Sequence, residues 1–241
     1  MTALMYAARS GRAEFVQILL PVSGVLVKDN VGMTALMWAS HDGNAACIEL
    51  LLPESNARDK NNVGMTALMG AACMNHEACV RLLLPVSDAL TKSKNGMTAL
   101  MWAVFHGKQS SANLLLPTSD ALALDKDGKT ALMWAARNGH EACVQILLPV
   151  SDALVVGKDG MTALMWASQY GQEACAQLLL SVSNASAEDG TGMNASAWAR
   201  ARGHESLSQH IDSYVLAQSE HTNIDTAVCP GAVRSRAALR V

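Results

Sequence analysis

One pattern recurs along this chain at a constant spacing of 32 residues, as the step from Thr34 to Thr66 shows. Nearly every copy opens with Thr-Ala-Leu-Met, and a proline returns once in each of the first five. A period of this size is typical of solenoids, in which each unit buries its apolar face by stacking on its neighbours. We number the copies one to seven by their opening residues: Thr2, Thr34, Thr66, Thr98, Thr130, Thr162 and Asn194.

The fifth copy, residues 128–148, shows what one unit contains. Leu132 and Ala136 share one face of a helix, because four residues are close to one helical turn. Gly139 ends this first helix, since glycine adopts a left-handed backbone without strain. A second apolar stripe stops at Pro149, which has no amide hydrogen to donate. The pattern predicts two short helices joined by a tight turn, and neither is long enough to be stable alone.

The run G-x-T-A-L-M-x-A-A-x-x-G-H-x-x-C-V-x-x-L-L resembles the ankyrin repeat, over about 210 of the 241 residues. The resemblance implies an all-α fold, an ankyrin-repeat solenoid of stacked helix–turn–helix units with β-hairpin-like loops. It also implies a scaffold or adaptor that binds a partner protein through the concave face of the array. We therefore expect an array of seven repeats over residues 1–218 and a flexible tail over residues 219–241.

The two ends of the array differ in polarity. The first copy lacks its preceding loop, and Phe15 and Ile18 make it as apolar as an internal copy. Terminal repeats normally need a polar outer face. We therefore expect either that further repeats precede Met1 in a larger protein or that the array self-associates through this end. The last copy has Ser196 and Ser208 at positions of Leu and Val, which predicts a polar C-terminal cap.

Charge and hydropathy narrow the range of functions. The formal net charge is −3, which gives no electrostatic basis for binding nucleic acid. No apolar run reaches the ~18 residues of a membrane span, and the first residues form a repeat rather than a signal peptide. We expect a cytoplasmic protein, with a nuclear location also open, that has a protein partner, contacts neither nucleic acid nor membrane, and uses no cofactor.

Four cysteines recur at one buried position of the second helix. Packed helices lie about 8–10 Å apart, farther than the ~4.4–6.8 Å between the Cα atoms of a disulfide. This spacing predicts free core thiols, no intrachain disulfide and a reducing compartment. The alternative function is an enzyme or metal-binding protein that uses Cys and His, such as His140 and Cys143. Against it, the chain contains no phosphate loop, nucleophile elbow or HExxH motif, and we predict no catalytic or metal residue. The four are Cys47, Cys79, Cys143 and Cys175.

An aromatic residue occupies one position of nearly every first helix. Trp134 lies about 150° from the centre of the Leu132–Ala136 face, so it does not belong to the core stripe of its own repeat. Either each Trp packs across the small Ala column of an adjacent repeat, or the Trp edges form a binding face, since Trp is enriched at interface hot spots. The column consists of Tyr6, Trp38, Trp102, Trp134, Trp166 and Trp198.

Repeat three breaks this column, because Gly70 stands in the place of the Trp. We expect a notch between Trp38 and Trp102, unless Met69 and Met101 fill the gap. The two residues after the Ala pair vary among copies, which leaves them available for specificity. The expected rim of the notch is His41, Met74, Phe105 and His106. The candidate protein-binding residues are Trp38, His41, Gly70, Met74, Trp102, Phe105, His106, Trp134, Asn138, Trp166 and Tyr170.

Overall fold

A computed structural model describes residues 1–228 of the chain, with side chains as far as residue 219. Over this range the structure contains fourteen α-helices and no β-strand, so the predicted all-α class is confirmed. The helices come in consecutive pairs, one pair for each copy of the repeated unit. They are α1 (Ala3–Arg9), α2 (Ala13–Leu19), α3 (Ala35–His41), α4 (Ala45–Leu51), α5 (Ala67–Met74), α6 (Glu77–Leu83), α7 (Ala99–Phe105), α8 (Gln109–Leu115), α9 (Ala131–Arg137), α10 (Glu141–Leu147), α11 (Ala163–Gln169), α12 (Glu173–Leu180), α13 (Ala195–Ala201) and α14 (Glu205–Val228).

The first helix of each pair is defined at both ends by local chemistry. In repeat two, Oγ1 of Thr34 accepts a hydrogen bond from the backbone N–H of Met37 at 3.3 Å, just before α3. This N-cap satisfies one of the free amides at the start of the helix. The turn after α3 contains Gly43, whose φ of +81° is left-handed. Asn75 takes this place in repeat three with a φ of 64°, as expected for a residue that tolerates the left-handed region.

The second helices end slightly before the predicted proline stop. α10 ends at Leu147, and the chain continues as one turn of 3-10 helix, Leu148–Val150, which contains Pro149. Proline fits near the start of a helix because the amides there have no partner within the helix. The proline therefore tightens the end of the helix pair before the next loop begins.

The helices form two layers with the core between them. First helices pack against first helices, as α3 does against α1 and α5, and second helices pack likewise, as α4 does against α2 and α6. Stacking identical positions produces buried columns, because each repeat presents the same small apolar groups to its neighbours. The Leu column of the first helices is at most 1% exposed: Leu4, Leu36, Leu68, Leu100, Leu132 and Leu164.

At four of the described junctions, a repeat also closes the C-terminal end of the first helix in the repeat before it. His140 precedes α10, and its Nε2 donates to the carbonyl of Phe105, the last residue of α7, at 3.1 Å. His76 makes the same bond to the carbonyl of His41 at 3.0 Å. The approach is close, since a Cβ added to Gly107 would lie 2.6 Å from Nδ1 of His140. Amide side chains replace the His in two other repeats: Asn44 donates to Ala8 and Arg9, and Gln172 to Arg137.

The loops between repeats are hairpin-like, although residues 1–228 form no strand. In the loop of repeat two, the amide of Asp29 donates to the carbonyl of Met33 at 3.0 Å, and Gly32 donates back to Asp29 at 2.9 Å. Neighbouring loops are also joined, because the amide of Asn62 donates to the carbonyl of Val31 at 3.1 Å. These bonds hold consecutive loops in register beside the first helices.

The last repeat contains polar groups inside its core. Ser196 and Ser208 are both buried, and their hydroxyl oxygens lie 3.0 Å apart. This bond gives both buried hydroxyls a partner. The final helix, α14, continues to Val228, so residues 219–228 of the predicted tail are helical. Residues 229–241, the rest of that tail, lie outside the described residues.

Candidate protein-binding face

The aromatic column lies between the first helices and the loops. In three repeats the indole N–H donates to a carboxylate that stands nine residues earlier, in the loop of the same repeat. The column is therefore attached to the loop layer as well as to the helix that carries it. The three bonds join Nε1 of Trp38 to Asp29 at 2.9 Å, Nε1 of Trp134 to Asp125 at 2.9 Å, and Nε1 of Trp198 to Asp189 at 2.8 Å.

Each of these carboxylates also closes its own loop. Oδ1 of Asp189 accepts from the amides of Thr191 and Met193, at 2.8 and 3.1 Å, while Oδ2 accepts from the indole. Burial disfavours the charged form of Asp189, but these hydrogen bonds outweigh the effect of burial and lower the pKa to about 2. The pKa of Asp29 is lowered by the same balance. A single ionised side chain therefore fixes the loop and orients the ring.

Two indoles lack this acceptor. Ser93 stands at the Asp position in repeat four, and Gly157 in repeat six. The indole N–H groups of Trp102 and Trp166 are buried and have no hydrogen-bond partner among the described residues. A buried donor without a partner costs about 1–3 kcal/mol. Repeat four therefore holds its ring by packing, and repeat six holds its ring by packing and by contacts with cations.

Two cations lie against the rings of repeats five and six. Nζ of Lys129 is 5.5 Å from the ring centre of Trp134 and 5.1 Å from that of Trp166. Cζ of Arg137 is 5.1 and 5.2 Å from the same two rings, and Nη2 donates to the hydroxyl of Tyr170 at 3.0 Å. A cation is attracted to the electron-rich face of a ring, more strongly where water is excluded. These contacts hold Trp134 and Trp166 at 8% and 9% exposure.

The ring contacts continue into repeat four. Phe105 lies edge-on to Trp134, with ring centres 5.1 Å apart, and His106 stacks on Trp102 at 6.1 Å. His106 is exposed, and partial desolvation followed by the charge of Lys108 lowers its pKa, so it is mostly neutral at pH 7. We call the resulting surface the aromatic face; it comprises Trp102, Phe105, His106, Trp134, Trp166 and Tyr170.

A cavity of about 320 Å³ lies at Gly70, and we call it the notch. Trp38 and His41, from α3, form one wall. The loop of repeat three forms the other wall, which includes Asn61. Most of the remaining lining is apolar, from Val and Met side chains of repeats two and three.

Fewer of the expected residues line the notch than the sequence predicted. Trp38, His41 and Gly70 line it. Met69 and Met101 are not among its lining residues, and both are buried in the core at 1% exposure. The rest of the expected rim, Met74, Phe105 and His106, is not among its lining residues. Trp102, the expected far boundary of the notch, does not line it either.

Three more of the candidate residues occupy separate positions. Tyr170 is 44% exposed and stacks on Trp166, with ring centres 6.1 Å apart. Met74 is 43% exposed at the end of α5. Asn138 donates from Nδ2 to the carbonyl of Phe105 at 2.8 Å, so it connects repeat five to repeat four.

The family model for ankyrin repeats matches three stretches, residues 1–62, 42–125 and 111–189, which together cover well over half of the chain. The chain belongs to the ankyrin repeat family. Ankyrin repeats generally serve as modules for protein–protein interaction.

Solved ankyrin repeat domains share this fold. The crystal structure of the human ASB11 ankyrin repeat domain is 22% identical, covers 88% of this chain and 98% of its own, and gives a TM-score of 0.76. The ankyrin repeat domain of Bcl-3, described as a unique member of the IkappaB protein family, is 24% identical, covers 86% and 97%, and gives 0.74. No curated protein sequence matches the chain. At these identities the likeness shows the fold and nothing about partners.

Four cysteines of this ankyrin array are core groups, whereas Cys73 is half-buried. Burial raises the pKa of Cys143 and Cys175 to about 11, which keeps both protonated and weakly nucleophilic at neutral pH. In residues 1–219, whose side chains are described, no group of three His, Cys, Asp or Glu residues is placed to hold a metal ion. No helix within residues 1–228 is both long and apolar enough to cross a membrane. Cys229 lies outside the described residues, and the free thiols within them are Cys47, Cys73, Cys79, Cys143 and Cys175.

The prediction of site residues missed the loop carboxylates and Lys129. A signal for the carboxylates was present in the sequence, because Asp29, Asp125 and Asp189 each stand nine residues before a Trp. Lys129 stands where every other ankyrin repeat of this chain carries Met. A charge at an otherwise apolar position is the signal that could have identified it.

Proposed function

We propose that this ankyrin array is an adaptor that binds a partner protein across the aromatic face and the notch. The supporting observation is a run of ring–ring and cation–ring contacts from repeat four to repeat six, in which Lys129 and Arg137 link Trp134 to Trp166. The run ends in exposed side chains such as His106 and Tyr170. Rings that are already fixed lose little freedom on binding. Trp, Tyr and Arg are also the residues most enriched at interface hot spots.

The rings have two different tasks in this proposal. Trp134 and Trp166 are almost fully buried, so they support the surface rather than form it. Tyr170 and the half-buried Phe105 meet the partner. The free core thiols suit a reducing compartment, which supports a cytoplasmic adaptor.

The test compares variants of the two layers of the array. Affinity capture from the source cell first identifies partners enriched over an unrelated ankyrin array, and purified partner is then titrated. We expect the double variant Phe105→Ala/Tyr170→Ala to weaken binding by roughly thirtyfold, since central aromatic hot spots contribute about 2 kcal/mol or more. Gln145→Ala, at an exposed position of α10 in the other layer, serves as the matched control and should bind normally.

Unfolding midpoints separate a lost contact from a lost fold. Both variants should unfold within a few degrees of the parent chain. Unchanged affinity of the double variant would remove the aromatic face from the proposal. No partner enriched over the unrelated array would remove the adaptor function itself.

A further inference from the structure

The notch lies where neighbouring repeats place an indole. Trp38 and Trp102 stand 32 residues before and after Gly70, at the same position of the unit. In repeat two the N–H of Trp38 is held by Asp29 at 2.9 Å. Repeat three keeps the helix and the loop and carries Asn61 at the position of that Asp, but it has no ring of its own. The walls of the notch are therefore built to contact a flat aromatic group.

The notch is open to such a group. Its volume of about 320 Å³ is near the lower end of the range for small-ligand pockets, about 300–1,000 Å³. A Cβ added to Gly70 would meet only ordinary contacts, since the nearest atoms of His41 are 3.9 Å away. Met33, Met37 and Met65 line the space, and their flexible thioethers adapt to the shape of a bound ring.

Asn61 offers different chemistry from the aspartates. Its Oδ1 accepts from the amides of Val63 and Met65 at 3.0 and 2.9 Å, the same two loop bonds that Asp29 forms. Because only the carbonyl oxygen of an amide can accept, the NH₂ group must occupy the place of the second carboxylate oxygen. Nδ2 donates to Sδ of Met33 at 3.3 Å. A thioether is a weak acceptor and an NH₂ carries two hydrogens, so this side of the notch favours a ligand that accepts.

We propose that the notch binds a tyrosine side chain of the partner protein, with its ring against Trp38 and its hydroxyl oxygen accepting from Nδ2 of Asn61. An indole fits the walls, but its N–H would face the N–H of Asn61 and lose its own partner. A phenylalanine ring would cover Nδ2 without accepting from it. This role rests on the proposed function, because it assigns one anchor of the same interface.

Side-chain analogues test the assignment on the purified chain, without any partner. The probes are p-cresol for tyrosine, toluene for phenylalanine and 3-methylindole for tryptophan. Methyl spectra of the labelled methionines report binding, with Met33, Met37 and Met65 as reporters and Met165 as a distant control. We expect saturable shifts of the three reporters only, in the millimolar range. p-Cresol should bind roughly three- to tenfold more tightly than either other probe, the ratio that one net hydrogen bond produces.

Three variants locate the site and its polarity. Gly70→Trp should abolish the p-cresol shifts, because the added indole occupies the notch. Gly70→Ala is its matched control, and it should leave the notch open and binding intact. Asn61→Asp should raise the affinity for 3-methylindole relative to that for p-cresol by roughly tenfold, since the carboxylate now accepts from the indole N–H. The methyl spectrum of each free variant shows that it is folded.

The outcomes separate this inference from the adaptor function. Absence of reporter shifts with p-cresol, or persistence of those shifts in Gly70→Trp, would show that the notch is not a ring site. Tighter binding of 3-methylindole than of p-cresol by the parent chain would replace tyrosine with tryptophan and overturn the role of Asn61. Either result leaves partner binding to the aromatic face intact, because that test uses Phe105 and Tyr170.

Discussion

Repeats three and five have the same helix pair and the same hairpin-like loop. They differ at the position between the first helix and the loop of each repeat. Repeat five fills it with Trp134, whose N–H is bound by Asp125. Repeat three has Gly70 and Asn61 at the equivalent positions, and a cavity lies there. In a stacked array, removing one side chain changes a packing position into a candidate binding position without altering the helices around it.

The largest expected effect on stability comes from removing the ring that fills this position in repeat five. Trp134→Ala should lower the free energy of unfolding by about 3 kcal/mol, because a large buried ring is removed and little can collapse into its place. Lys129 and Arg137 also lose one of the rings they contact. Denaturant unfolding measures the change. Tyr6→Ala is the matched control in the same column, because Tyr6 is 62% exposed, and a similar loss there would contradict the comparison.

The converse change fills the empty position. Gly70→Trp together with Asn61→Asp should raise the free energy of unfolding by about 1–2 kcal/mol, the usual gain from filling a cavity. Part of it, about 0.5–1 kcal/mol, comes from removing a glycine inside a helix, and Gly70→Ala isolates that part. The two changes should couple by about 1 kcal/mol in a double-mutant cycle. Simple additivity would show that the indole does not reach the new carboxylate.

Repeat six offers a smaller version of the same comparison, since it has the ring of Trp166 without the acceptor. Gly157→Asp should raise the free energy of unfolding by about 1 kcal/mol by pairing the indole N–H. The new Cβ would lie 2.7 Å from Oδ1 of Asp159, so this side chain must rotate away and release the amide of Met161 to the new carboxylate. Gly157→Ala is the control. An unchanged indole N–H resonance in Gly157→Asp would contradict the pairing.

The smallest expected effect is a pH dependence of the indole N–H resonances. It distinguishes indoles that donate to a loop carboxylate from indoles that have no such acceptor. The hydrogen bonds to Asp189 lower its pKa from 3.8 to about 2, so their stabilisation is complete above the higher value and is lost as the pH falls through the lower one. The indole N–H resonance of Trp198 should therefore shift as the pH approaches 2. Those of Trp102 and Trp166 should not follow it. A common shift of all three would indicate general unfolding instead.

The period, the helix pairs and the position of the notch could all be predicted from sequence, because each depends on a residue's place within its own repeat. Asn75 illustrates this, since its left-handed turn follows from local preference alone. The rim of the notch could not be predicted, because Met74 and Phe105 are near Gly70 in the pattern but their side chains take other directions. The bonds from Trp to Asp were missed for a related reason, as they join a loop to a helix that periodicity treats separately.

The bonds made by His76 and His140 give the array a direction. In each case the later repeat covers the exposed carbonyls of the earlier one, and Asn44 and Gln172 follow the same rule. Shortening the array from its N-terminal end leaves these bonds in place for the first helices that remain. Shortening it from the C-terminal end removes the covering side chain before the helix that it covers. Truncations of equal length should therefore be unequally tolerated, and fraying of a shortened array should begin at its C-terminal side.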